Sequence, residues 1–157
     1  MVVSVDAPGP MVVPHDLLAR IAPVIGSPFL GKGDRPDGWD CRGCVRWIYR
    51  THLDVAIETY SDAYDALILT SSGRARRARL IADRLAVWRP VEAQPGAVVH
   101  LNWLGRSGHV GLMTSRTGFV HADMGVGTTL ADLDDRDCPY RAVGFFVPRF
   151  VTEVIHV

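Results

Sequence analysis

The spacing of apolar and polar positions changes once along the chain. Up to Arg89 the readable segments have a helical rhythm; from Pro95-Gly96 onward they are short apolar runs cut by turn residues. The clearest helix begins at Cys41, where positions 41, 44, 45 and 48 fall on one face and Arg42, Arg46 and Arg50 lie away from it. Asp40 directly precedes it and is a good N-cap, because its carboxylate can accept from the first orphan N–H groups. A shorter helix opens at Asp16, with Leu17, Leu18 and Ile21 as its apolar positions, and stops before Pro23. Residues 1–14 read as a tail ending in Pro14, and 15–157 as a single domain. Gly26 to Gly38 carries too many glycines and prolines for regular structure and reads as a shaped loop.

Residues 72–89 form another helix candidate, with six Arg against one Asp. One reading is a patch for an anionic polymer. The other is a solvated helix face, with Leu80, Ile81, Leu85 and Trp88 turned to the core. Strands are predicted at 97–101, 109–113, 118–122 and 142–147. Helices first and strands afterwards imply an α+β fold, with N-terminal helices packed on an antiparallel sheet. Gly43 is expected to let the Cys41 helix approach that sheet closely.

Length and composition narrow the class. The chain has 157 residues, 48% hydrophobic and 22% charged, which suits one globular domain with its own core. Its longest uncharged run is 93–105, shorter than the roughly 20 residues a membrane helix needs. Seventeen basic and seventeen acidic residues cancel, so charge gives no case for nucleic acid or an anionic membrane as partner. The N-terminus lacks a basic region and is interrupted by Asp6 and two prolines, unlike a signal peptide. The expected location is a cytoplasm, or a particle assembled there. Three cysteines in such a compartment point away from a disulfide framework.

Cys41 holds the most suggestive position. At the first residue of a helix the N–H groups lack intrahelical partners and the dipole is positive, which favours a thiolate and can hold an oxyanion. A nucleophile needs a base. His109 and His121 lie on two strands joined through Thr114–Gly118, and an odd-length hairpin loop puts them on one face. A three-residue loop at 114–116 would set them directly opposite. One could then serve as base while the other orients it. Trp103 and Arg106, before His109, suit either a cleft rim or a plain surface loop. Cys138 lies in an acidic loop as a spectator, His100 is expected to be partly buried without a role, and His52 to reach the last carbonyls of the Cys41 helix.

These residues resemble the NlpC/P60 family of papain-like cysteine peptidases. Gly38-Trp-Asp-Cys-Arg-Gly-Cys-Val45 is similar to its nucleophile helix, Gly108-His-Val-Gly-Leu112 and Gly118-Phe-Val-His-Ala122 to its two histidine strands, and Gln94-Pro-Gly-Ala-Val-Val99 to a strand entry. The Arg-rich segment and Trp88-Arg-Pro-Val91 are similar to members associated with phage tails and gene-transfer particles. The resemblance implies Cys41 as nucleophile, His109 as base and then acid, and His121 as the group orienting His109. It sets Asp40, Trp39 and Phe29 around the oxyanion and cleft. Phe29 stands where many members carry a Tyr, which leaves the helix N-terminus to supply oxyanion donors. The implied reaction is amide hydrolysis in the peptide stems of peptidoglycan, without metal or cofactor, with phage-tail or tail-tip proteins as further partners.

Other functions use the same residues. Cys41-Arg-Gly-Cys44 is a C-x-x-C at a helix start, as in dithiol oxidoreductases, although no βαβ context precedes it. Cys41, Cys44, His109 and His121 have ligand types suited to zinc. A tail assembly protein that keeps the fold without the activity is a rival of another class. Exposure of Cys41 separates an active thiol from an inert one.

Overall fold

The computed structural model describes residues 1–57, 87–103 and 106–157. In chain order these contain β1 (Gly9–Val13), α1 (Leu17–Ile21) and a 3-10 turn (Ala22–Val24), then β2 (Asp34–Arg35), β3 (Gly38–Trp39) and α2 (Cys41–His52). β4 (Trp88–Pro90), β5 (Val98–Trp103), β6 (Arg106–Met113), β7 (Gly118–Asp123), β8 (Gly127–Asp132), β9 (Tyr140–Pro148) and β10 (Val151–His156) follow. Among the described residues, β4-β9-β5-β6-β7-β8 form one antiparallel sheet in that order. This is the expected α+β arrangement. The 72–86 part of the Arg-rich segment lies outside the described residues, and Trp88 and Arg89, expected to be helical, instead open β4. No helix among the described residues is long and apolar enough to cross a membrane.

Alternation along the strands divides the interior. Val98, Leu112, Val120 and Ala122 join Cys44, Val45, Ile48 and Tyr49 of α2 in the larger core. Val99, Leu101, Met113, Phe119 and Tyr140 form a second cluster. Tyr49 crosses from α2 to the turn before β5, donating its buried hydroxyl to the Gly96 carbonyl at 2.8 Å.

Residues 1–14 are not a tail throughout. β1 pairs in parallel with β10, and its alternate residues Met11 and Val13 are buried in the larger core. Burial of those two side chains, with a ladder to the far end of the chain, outweighs the flanking prolines.

The Gly/Pro-rich loop is shaped by its contacts. Asp40 caps α2 by accepting from Arg42 N–H at 3.1 Å and Gly43 N–H at 2.9 Å, and its other oxygen accepts from Lys32 N–H at 3.0 Å. Gly43 does permit a close approach, but to this loop rather than to the main sheet. A β-carbon there would stand 1.9 Å from the Gly33 carbonyl oxygen.

Candidate active site

α2 begins at Cys41, so the sequence places this thiol on the first turn of a capped helix. Asp40 accepts from the Arg42 and Gly43 N–H groups, which fixes the first turn of α2 around Cys41. Cys41 is only 5% exposed and Cys44 is fully buried. Burial first, then the Cys41 thiol and Asp40, push the Cys44 thiol up to about 12, so it stays protonated and packs as a small apolar residue. A thiol so held does not suit the resolving partner of a redox dithiol. Among the described residues, no three His, Cys, Asp or Glu side chains converge as a metal-ligand set.

β6 and β7 bring the two histidines together. His109 Nε2 and His121 Nδ1 are 2.8 Å apart, with ring planes at 84°. The hairpin register pairs Met113 with Phe119, and Thr114 N–H bonds the Gly118 carbonyl, so three residues, 115–117, form the loop. The odd loop gives the shared face, but one step away from the expected 114–116. His121 is therefore diagonal to His109, with Gly111 beside it. A β-carbon on Gly111 would meet His121 Cβ at 3.4 Å and the Val120 carbonyl oxygen at 2.9 Å. The missing side chain lets the imidazoles meet across the diagonal.

Both rings are shielded. Burial, reinforced by the His121 charge, pushes His109 down to about 4, while Asp123 acts in the opposite direction. His121 is 2% exposed and is likewise lowered by burial, again opposed by Asp123. The resting pair is thus held toward neutral, which suits a base that accepts a proton only when a negative charge develops nearby.

Tyr140 was not singled out by the sequence, yet it stacks on His109 at 5.0 Å and 18° and meets His121 edge-on at 5.1 Å. Its phenol is pushed up by burial, by donating to the Asp123 carboxylate, and by the charges of Asp123, Cys138 and Cys41. The same ring therefore touches the imidazole pair and senses the Cys41 thiol. Asp123 was also missed; its position two residues beyond His121 on one strand was the available signal.

The other expected positions divide. Trp39 is not a cleft residue: it is fully buried, donates Nε1–H to Thr128 Oγ1 at 2.6 Å and packs on Trp47. A large indole gains more from core burial with its N–H satisfied than from lining a surface. Asp40 serves as cap and loop anchor. Phe29 is partly buried against the larger core beside Trp39 and offers no donor. His100 is buried, and Cys138 is half-buried with Sγ 3.8 Å from the Tyr140 carbonyl oxygen. His52 turns to Trp47, at 5.5 Å, and its buried Nε2 lacks a hydrogen-bond partner rather than capping the helix. Trp103 is exposed at the end of β5, not in a loop.

The fold is shared with solved structures. NlpC2 from Trichomonas vaginalis is 17% identical with a TM-score of 0.55, over 85% of this chain and 47% of that one. A NlpC/P60 family protein from Bacillus cereus is 18% identical with a TM-score of 0.52, over 81% of this chain and 38% of that one. The NlpC/p60 domain of the peptidoglycan hydrolase SagA is 19% identical with a TM-score of 0.48, over 83% and 94%. A comparison with curated proteins gives no match. The sequence profile of the NlpC/P60 family, however, matches residues 26–145, from the shaped loop through α2 and both histidine strands into β9. That span is most of the chain, and it makes this protein a member of the NlpC/P60 family, whose members are typically cysteine peptidases and peptidoglycan hydrolases.

Proposed function

We propose that the chain is a cysteine-dependent amide hydrolase acting on peptide stems of peptidoglycan. The observation that carries this reading is the 2.8 Å contact between His109 Nε2 and His121 Nδ1, which turns the other ring nitrogen of His109 away from its partner. That nitrogen accepts the Cys41 proton, and the thiolate attacks the amide carbonyl carbon. The Cys41 N–H and the positive end of α2 hold the oxyanion. His109 then donates the proton to the leaving amine as the C–N bond breaks, giving a thioester. Water loses a proton to His109 and attacks the thioester; the acid leaves and the thiol is restored. His121 keeps His109 in the orientation and tautomer these transfers need. Neither a metal nor an organic cofactor takes part.

A second reading is favoured by one observation, the 5% exposure of Cys41. A thiol closed off from substrate suits a tail assembly or plug protein that keeps the fold without turnover. One experiment separates the two. Purified protein and Cys41→Ala are incubated with peptidoglycan stem peptides, and new amino termini are sought by mass spectrometry. Hydrolysis by the wild type alone supports the hydrolase; no cleavage by either supports the structural protein.

A further inference from the structure

The triad account leaves two residues of the same cluster without a task. Tyr140 lies flat on His109 at 5.0 Å and edge-on to His121, while its hydroxyl donates to the Asp123 carboxylate. Asp123 is on β7 two residues beyond His121, on the same face of the strand. We propose that Tyr140 and Asp123 act as a positioning pair, the Tyr140 ring shelving His109 and its hydroxyl fixing the Asp123 carboxylate as the counter-charge for the imidazolium form of His109. This rests on the hydrolase reading for its purpose, but its geometry stands apart from turnover.

The need for such a charge follows from the surroundings. α2 contributes Cys41, whose charge acts on Tyr140, while its cap Asp40 is committed to three backbone N–H groups. β7 presents His121 and Asp123, and β9 with its approach presents Tyr140 and Cys138. β5 sets the buried, apolar Leu101 across from His109. The second imidazole repels a proton on the first, and burial disfavours it further. Asp123 is the group that opposes both effects at His109 and also favours the charged form of His121. A carboxylate on a free side chain would be solvated and weak; a phenol hydrogen bond holds it in place. Because Asp123 acts on the imidazolium through space, it need not touch substrate.

The test is the pH profile of Cys41 alkylation by iodoacetamide, read by mass spectrometry in the wild type, Asp123→Asn and Tyr140→Phe, with stem-peptide hydrolysis measured in parallel. Alkylation of the wild type at neutral pH should report the fraction of Cys41 ionised by proton transfer to His109. Asp123→Asn should lower that reactivity about tenfold, the equivalent of about one pH unit in the pair. Tyr140→Phe, which keeps the stacked ring and every charge, should lower it about threefold by freeing the carboxylate. Profiles that superimpose on the wild type overturn the proposal. Should Asp123→Asn not fold, Tyr140→Phe decides alone by the same criterion. A wild type that cleaves no stem peptide but shows the shifted profiles removes the hydrolase reading and leaves the pair standing. Cleavage with unshifted profiles does the reverse.

Discussion

Replacing Gly43 by Ala sets two effects of known size against each other. Gly inside a helix costs about 0.5–1 kcal/mol relative to Ala, so propensity alone favours the change. The new β-carbon, however, falls 1.9 Å from the Gly33 carbonyl oxygen and 2.9 Å from Asp34 Cα. Both obstacles are backbone, so no rotamer change relieves them. The segment they belong to is tied to the helix start by Asp40 N–H to the Gly33 carbonyl at 3.3 Å and Lys32 N–H to Asp40 at 3.0 Å. Overpacking costs about 1–3 kcal/mol where side chains can yield, and a backbone clash belongs at or above the top of that range. The net expectation is a loss of about 2 kcal/mol or more, a fall in Tm of about 4–8 °C for a domain of this size. Thermal and urea unfolding followed by far-UV circular dichroism measure it. Gly31→Ala is the control, since a β-carbon there meets nothing within 4 Å. A Gly43→Ala protein as stable as the wild type would refute the close approach and the placement of the Cys41 helix start that depends on it.

Three further outcomes are expected. Cys41→Ala should abolish any stem-peptide hydrolysis while Cys44→Val, a similar apolar volume in a fully buried position, should keep most of it; equal loss in both would restore the dithiol or metal readings. Gly111→Ala should cost stability of about 1–3 kcal/mol and reduce hydrolysis more than tenfold, because its β-carbon presses on the strand carrying His121; unchanged turnover in steady-state assays would count against the diagonal pairing. His109 is held near 4 in the folded state, below its ordinary value of 6.5, so the unfolded chain takes up the proton first as pH falls. Its contribution to stability is therefore complete above about pH 6.5 and is lost on acidification toward about pH 4, on the order of 3 kcal/mol, and His109→Gln should flatten that part of a Tm-against-pH curve.

The helix of the nucleophile was legible because its signal is local: four apolar positions at helical spacing behind a capping Asp. The strands carrying His109 and His121 were legible for the same reason, and parity alone gave their shared face. β1 and β10 were not, because a parallel pairing between the two ends of the chain leaves no local trace, and Pro8 and Pro10 disguise the alternate burial of Met11 and Val13. β8 is an edge strand of Gly, Thr, Leu, Ala and Asp, with too few apolar positions for a strand pattern. Tyr140 follows the acidic turn at Asp135–Cys138 and joins the site only through β9. That strand pairs with β5 in a ladder whose register slips between His100 and Leu101. Such a slip re-aims side chains and cannot be counted from sequence alone. Trp39 was misplaced because its neighbour Asp40 marks the helix start, whereas its own indole is drawn inward to Thr128.

The loop before Cys41 joins the two halves of the site. At one end it meets α2 through Asp40, Lys32 and the Gly33–Gly43 approach. At the other, Gly26 N–H bonds the Thr128 carbonyl at 2.8 Å, Thr128 N–H bonds the Ser27 carbonyl at 2.9 Å, and Trp39 bonds the Thr128 hydroxyl. Thr128 belongs to β8, which pairs along the whole of β7 and sets Thr129 opposite His121. The loop therefore clamps the helix carrying Cys41 to the hairpin carrying His121, through backbone contacts and the buried Trp39 indole. Substitutions along it should change the relation of thiol to imidazole before they change either group. This accounts for glycines at the points of contact, where a backbone can approach a backbone only if no β-carbon intervenes.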